Sequence, residues 1–112
     1  MNLNIWYDLP KEVWDKVPSI YAQMQGWLGF SDGEKGQRGI PYWFGYGEEE
    51  EQFLCASVEP SGLAFSGRMP EEAWEDWKAN IKKVASRELG YRVGEPEVGD
   101  CDDDVRERLG IE

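Results

Sequence analysis

The side chains with a capacity for chemistry in this sequence are carboxylates gathered in two runs: Glu48, Glu49, Glu50 and Glu51, then Asp100, Asp102, Asp103 and Asp104. Histidine is absent, which removes the commonest general base and metal ligand together. Neither Cys55 nor Cys101 has a zinc-type partner spacing, and a cysteine–histidine nucleophile is excluded outright. The run at 100–104 does set carboxylates on alternate positions, as a calcium loop would. Val105 then stands where the sharp turn needs glycine, and Ile111 where the closing bidentate glutamate belongs, so no metal is expected there. Glu59, beside Pro60-Ser61-Gly62, could serve as a catalytic carboxylate or be a solvated turn residue, and a serine–lysine or paired-carboxylate enzyme is left as a formal alternative. The spaced glycines of 26–30 and 33–39 match neither a phosphate-cradling loop nor a dinucleotide turn and read as ordinary turns. The chain is expected to be non-catalytic and without a cofactor.

What carboxylates can do without a reaction is steer. Twenty-three acidic residues against twelve basic ones leave 112 residues at a net charge of −11. A basic macromolecule is the favoured partner, and free nucleic acid is disfavoured. Disorder would explain the charge only with few aromatics and little apolar content. Here 40% of residues are apolar and 13% aromatic, so a folded domain is expected. The C-terminal segment 95–112 holds eight carboxylates against two arginines, a net −6 that is more than half of the total, and reads as an acidic tail. Residues 48–51 add four charges at a hairpin tip. Either run alone could be a solvated face serving solubility. Together they favour an electrostatic surface that would speed capture of a cationic partner by a factor on the order of 10 to 1,000.

The elements that must position these groups follow from periodicity. Residues 10–24 carry Val13, Val17, Ile20 and Met24 at helical spacing, with a kink or restart expected at Pro18. Four short aromatic and β-branched runs follow, at 27–30, 40–46, 53–58 and 63–66, joined by turns rich in glycine, proline and aspartate, which predicts an antiparallel meander. Residues 70–89 predict the main helix: Trp74, Trp77, Ile81, Val84, Ala85 and Leu89 share a face, Pro70 opens it and Gly90 stops it. Tyr91 to Gly94 could add a fifth strand, and Asp102 to Leu109 a short last helix. The fold class is therefore α+β, a four- to five-stranded antiparallel sheet with helices packed on one face, in a single domain spanning 1–112.

Two cysteines in a chain this long do not make a disulfide framework. Cys55 reads as a small buried hydrophobe and Cys101 as part of an acidic loop, with a bridge between them the lesser alternative. No secretory signal and no membrane-length apolar stretch is visible, so a cytoplasmic location is expected. Trp6, Trp14, Trp27, Trp74 and Trp77 are expected in the core. The run Tyr42-Trp43-Phe44-Gly45-Tyr46 differs: strand alternation sends aromatics to both faces, although helices cover only one. Either some of these rings are exposed as interface anchors, or the long loops or the C-terminal segment form a second apolar layer over them.

The segment Ser57-Val58-Glu59-Pro60-Ser61-Gly62-Leu63, followed by a helix bearing Trp74 and Trp77 in a small, acidic, non-catalytic α+β chain, resembles the immunity proteins of bacterial polymorphic-toxin and contact-dependent growth inhibition systems. The resemblance is one of class and assigns no site residues. It implies a cognate toxin domain, often a basic nuclease, neutralised in a tight one-to-one complex that covers its active site or substrate groove. The arrangement expected on that basis has residues 48–51 and 100–104 facing one cationic groove, with Tyr42, Trp43 or Tyr46 as the buried anchor. Two other classes stay open: a phage-encoded acidic mimic of nucleic acid of the anti-restriction or anti-CRISPR type, and a small-molecule or peptide-binding module that uses the aromatic strand as a pocket lining.

Overall fold

The computed structural model describes residues 1–111; Glu112, counted above in the acidic tail, lies outside them. The chain opens with β1 (Asn2–Leu3) and two short helices, α1 (Lys11–Trp14) and α2 (Val17–Gln23). The strands β2 (Trp27–Phe30), β3 (Pro41–Trp43), β4 (Phe53–Glu59) and β5 (Gly62–Arg68) follow, then the long helix α3 (Glu71–Leu89) and a final α4 (Val105–Leu109). Pro18 is accommodated in the first turn of α2, where its missing N–H would have no helical partner in any case, and the chain restarts there as expected.

β2 to β5 form the expected antiparallel meander, and β1 joins its far edge beside β5, giving the order β1-β5-β4-β3-β2. The fold is α+β with a five-stranded antiparallel sheet. The fifth strand is not at 91–94, however. Asn2 pairs with Ala64 and Leu3 with Leu63, while residues 91–94 run past the end of β1 and are held by single contacts, among them the Asn4 N–H donated to the Gly94 carbonyl at 3.1 Å. Gly62 is what lets β1 in, because a Cβ at that position, where φ is +119°, would collide with the Leu3 carbonyl oxygen.

α3 keeps its predicted ends. Pro70 precedes it, Glu71 and Glu72 sit at the positive end of its dipole, and Gly90 closes it in the left-handed conformation at φ 80°. Its apolar stripe lies on one sheet face together with α2. That face supplies Trp43, Leu54, Ala56, Leu63 and Phe65, all buried, and the helices supply Tyr21, Trp77, Ile81 and Val84. Cys55, Ser57, Ala64 and Ser66 project to the opposite face. Cys55 is accordingly half-buried beside Ser66 rather than in the core, and both cysteines are free. Among the described residues no helix is long and apolar enough to cross a membrane.

Trp43 is at the centre of the packing. It is fully buried, its ring centroid lies 5.1 Å from Tyr21, 5.2 Å from Trp27 and from Trp77, and 5.9 Å from Phe65, and its indole N–H donates to the Tyr21 carbonyl at 3.1 Å. Trp77 is buried beside it as expected, whereas Trp6, Trp14, Trp27 and Trp74 lie partly buried at the core's margin. Truncating a large buried aromatic removes its transfer energy and leaves a cavity. Trp43→Ala is therefore expected to lower unfolding stability by about 3–5 kcal/mol. Urea denaturation followed by circular dichroism checks this, and a loss below about 1 kcal/mol would contradict a central role for the indole.

Candidate functional site

Because Trp43 turns inward, Tyr42 must point to the other face of the sheet. It is not left exposed there. The loop at 31–40 folds over it, and the backbone N–H of Gln37 donates to the Tyr42 hydroxyl at 2.9 Å. Gly36 permits the close approach, since a Cβ there would stand 2.7 Å from the tyrosine ring at a φ of +76°. Ser31, buried at the loop's base, accepts from the Gly33 N–H and donates to the Lys35 carbonyl; the Asp32 carboxylate accepts from the Glu34 N–H. These bonds hold the ten-residue connection between β2 and β3 in one conformation.

β3 ends abruptly after Trp43. Phe44 has a φ of 69°, and the Gly45 N–H donates to the Trp43 carbonyl at 2.8 Å, which is a γ-turn on a residue other than glycine. Alternation through residue 46 would put Tyr42, Phe44 and Tyr46 on one face; the turn takes Phe44 out of that set and packs it against the core, while Tyr46 stays beside Tyr42 with ring centroids 5.6 Å apart. The loops thus make the second apolar layer, which was one of the two readings of this run. Trp43 is corrected as an interface anchor: it is fully buried under α2 and α3 and presents no surface to a partner. Tyr42 is buried as well, and only Tyr46, half-buried, faces a cleft.

That cleft, about 460 Å³, lies between the two loops and is lined by Glu34, Lys35 and Gly36 on one side and by Tyr46, Gly47, Glu48, Glu49 and Glu50 on the other. Four carboxylates thus face one lysine. The Arg68 guanidinium, stacked 5.8 Å from the Phe53 ring, donates to the carbonyl oxygens of Glu48 and Glu50 at 3.2 and 3.4 Å. Arg68 fixes the backbone of the acidic run and leaves its carboxylates outward. Among the described residues none of the ion pairs involves Glu34 or residues 48–51. Glu51 is exposed just outside the cleft, and Glu34 is a member that the sequence did not single out.

The other acidic run is built into the fold, and the segment from 95 onward is not a free tail. Lys82 of α3 donates to Glu95 at 2.7 Å and to Asp100 at 2.8 Å, with all three side chains less than one-third exposed. Asp100 also accepts from the Glu95 N–H. The Asp102 carboxylate accepts from the Arg92 N–H at 2.7 Å, and its carbonyl accepts from Asn4. Asp104 caps α4 by accepting from the Glu107 N–H at 3.0 Å. Of the four aspartates only Asp103 is exposed without a side-chain partner among the described residues. It lines a shallow cleft with Asp102, Asp104, Glu107 and Arg108, again four carboxylates to one cation, but here Asp102 pairs with Arg108 at 3.9 Å and Asp104 is engaged in its helix cap.

Register places the two runs at opposite ends of the sheet. Residues 48–51 adjoin the end where Phe53 pairs with Arg68, whereas Asn4 and the 100–104 segment adjoin the end where Leu3 pairs with Leu63. Five residues of strand at about 3.3 Å each separate them along β5, together with the breadth of two or more strands. The expectation that both runs face a single groove is corrected accordingly. Glu59, the carboxylate weighed for catalysis, is exposed at the β4–β5 turn and accepts from the Ser57 hydroxyl at 2.9 Å. Phe44 lines a separate concavity of about 410 Å³ with Gln52, Trp77 and Asn80, so the aromatic run as a whole lines no single pocket. Burial, and then the Asp100 and Asp103 carboxylates, raise the Cys101 thiol above its ordinary value, which disfavours the thiolate a nucleophile needs.

Comparison of the chain with protein-family models, with curated proteins and with solved structures finds no match in any of the three.

The Lys82 hydrogen bond, helped by the Glu95 N–H and opposed by burial, holds the Asp100 carboxyl below its ordinary 3.8. A carboxylate depressed in the folded state stabilises the fold above its unfolded value and loses that contribution as pH falls through the folded one. For Lys82, burial lowers the affinity for a proton but the bonds to Asp100 and Glu95 together outweigh it, so its contribution is present below about 10.5 and lost above. Between these limits the pair is intact. Unfolding stability is expected to fall as pH drops from about 4 toward 2, and Asp100→Asn should lower stability at pH 7 while flattening that acid limb. Urea midpoints across pH 2 to 8 check this; an unchanged acid limb in the variant would remove the triad from the account.

Proposed function

We propose that this chain is a non-catalytic inhibitor of the immunity-protein kind, which acts in the bacterial cytoplasm and neutralises a cognate basic toxin domain, in the form the charge favours a nuclease, by occluding its active site or substrate groove. The observation that carries the reading is the cleft between the two loops: four exposed glutamates without ion-pair partners among the described residues, on backbone held by Arg68 and by the covered Tyr42. Charges that already have partners inside the fold add little to the field a second molecule meets, whereas unpaired ones at a concave rim reinforce one another. A net charge of −11 repels phosphate, so direct nucleic-acid binding is not part of this function. Glu34, Glu48, Glu49 and Glu50 are the residues assigned to first contact, and Asp100, Asp102 and Asp104 are withdrawn from it.

Rescue is the test. Co-expression of this chain is expected to protect cells from the toxic C-terminal domain of a large secreted protein encoded directly upstream. In a purified complex with that domain, joint reversal of Glu48, Glu49 and Glu50 to lysine should slow association by about 10- to 100-fold at low salt and change dissociation far less. Reversal of Asp103 and Glu107 should alter association by no more than about twofold, because rim charges away from the interface act only through a screened field. Equal slowing by both sets would refute the assignment of the cleft. Failure of rescue, with capture of a host nuclease instead, would replace the immunity reading by the nucleic-acid mimic.

A further inference from the structure

The acidic cleft continues past its rim onto apolar surface. Phe30, 49% exposed at the end of β2, lines a cleft of about 300 Å³ with Asp32, Glu34, Lys35 and Tyr46, and the last three of these also line the acidic cleft. Phe30 also lines an apolar groove of about 220 Å³, together with Trp14 and Pro18 from the helical side and Ile40 and Val58 from the strands and their loop, among others. Val58 is 52% exposed although it belongs to the sheet face that elsewhere packs on the helices. Three concavities therefore follow one another, the first two sharing Glu34, Lys35 and Tyr46 and the last two sharing Phe30 at the end of β2, the edge strand of the sheet.

We propose that this belt is one docking site, and that it takes a segment of the partner in which an apolar side chain stands next to lysine or arginine. The proposal rests on the inhibitor reading and names the chemistry that its partner presents. The apolar side chain enters the groove between Phe30 and Val58; the neighbouring cations reach Glu34 and the glutamates beyond it. Charge selects this occupant over a second copy of the chain, because pairing two belts would bring two sets of unpaired glutamates together in molecules that each carry −11. It also selects it over a plain polybasic segment, which would leave the apolar groove in water. Burying one leucine-sized side chain there is worth about a tenfold gain in affinity or more.

The test uses the full chain, labelled with ¹⁵N, and a synthetic ten-residue peptide with a central leucine flanked by two arginines on each side in a glycine–serine background. Two further peptides replace the leucine by serine or all four arginines by glutamine. The parent peptide is expected to shift the amide signals of Phe30, Ile40 and Val58 together with those of Glu34 and Glu48, and each altered peptide to bind at least about tenfold more weakly. Val58→Glu should weaken the parent peptide by a similar factor yet leave the serine peptide unaffected, and Glu34→Lys should do the same against the glutamine peptide. Val58→Ser serves if the glutamate variant is misfolded. Equal binding of the leucine and serine peptides, shifts elsewhere on the sheet, or a dimer in sedimentation that Val58→Glu dissolves would each overturn the belt. Rescue from the toxin with peptide binding lost would overturn this inference alone; peptide binding with rescue lost would overturn the inhibitor reading and leave the site.

Discussion

The burial of Trp43 is the constraint from which the surface of this protein follows. A fully buried indole in contact with Tyr21, Trp27, Phe65 and Trp77 ties the sheet to α2 and α3 in one aromatic cluster. Strand alternation then obliges Tyr42 to face away, where no helix covers it. The 31–40 loop lies over its ring, and Tyr46 packs alongside it. Both loops are thereby drawn to one edge of the sheet, and the acidic run that follows Tyr46 meets Glu34 across a cleft. The charged site is a consequence of how the apolar core is closed on its second face.

At the opposite corner the acidic residues serve cohesion. Asn4, fully buried, donates through Nδ2 to the carbonyls of Arg92 and Asp102 and accepts from the Gly94 N–H, and the Tyr91 hydroxyl donates to its carbonyl. One side chain at the end of a two-residue strand thus anchors a segment about ninety positions away. The Lys82 triad fastens the same segment to α3. Partly buried charges of this kind are favourable only when the geometry is good and the remaining lone pairs find donors, and Asp100 meets both conditions by accepting from Lys82 and from the Glu95 N–H. Carboxylates that look equivalent as a run of aspartates have separate tasks once folded.

Much of the architecture is legible along the chain because its determinants are local. α3 has a complete helical stripe bounded by Pro70 and Gly90, and β4 and β5 alternate on either side of Glu59-Pro60-Ser61-Gly62. What the sequence hides has partners far away or backbone geometry without a compositional cue. Two residues of β1 carry no periodicity, and the strand exists only because Gly62 leaves room for Leu3. Phe44 is an aromatic in an aromatic run, and nothing in its type announces a positive φ. Asp100 and Asp102 depend on Lys82 and Arg92, 18 and 10 residues earlier, and so read as a solvated tail. For the cleft, residues 48–51 were visible as a run; Glu34 was not, because it becomes a neighbour only when its loop folds over Tyr42.

Solubility alone would account for many of the charges but not for their framing. Glutamates dispersed over exposed helices would keep a domain of this size in solution without placing four of them around one concavity. Here the acidic loop is bound to Arg68 through its carbonyl oxygens, and the opposing loop is held by Ser31, Asp32 and Tyr42. A non-glycine residue at positive φ, worth about 1–3 kcal/mol of strain, persists only where its surroundings over-determine it, and Phe44 stands at the root of this edge. On the proposed reading, a rim whose backbone is already held gives up less freedom on meeting a cationic partner than a flexible acidic tail would.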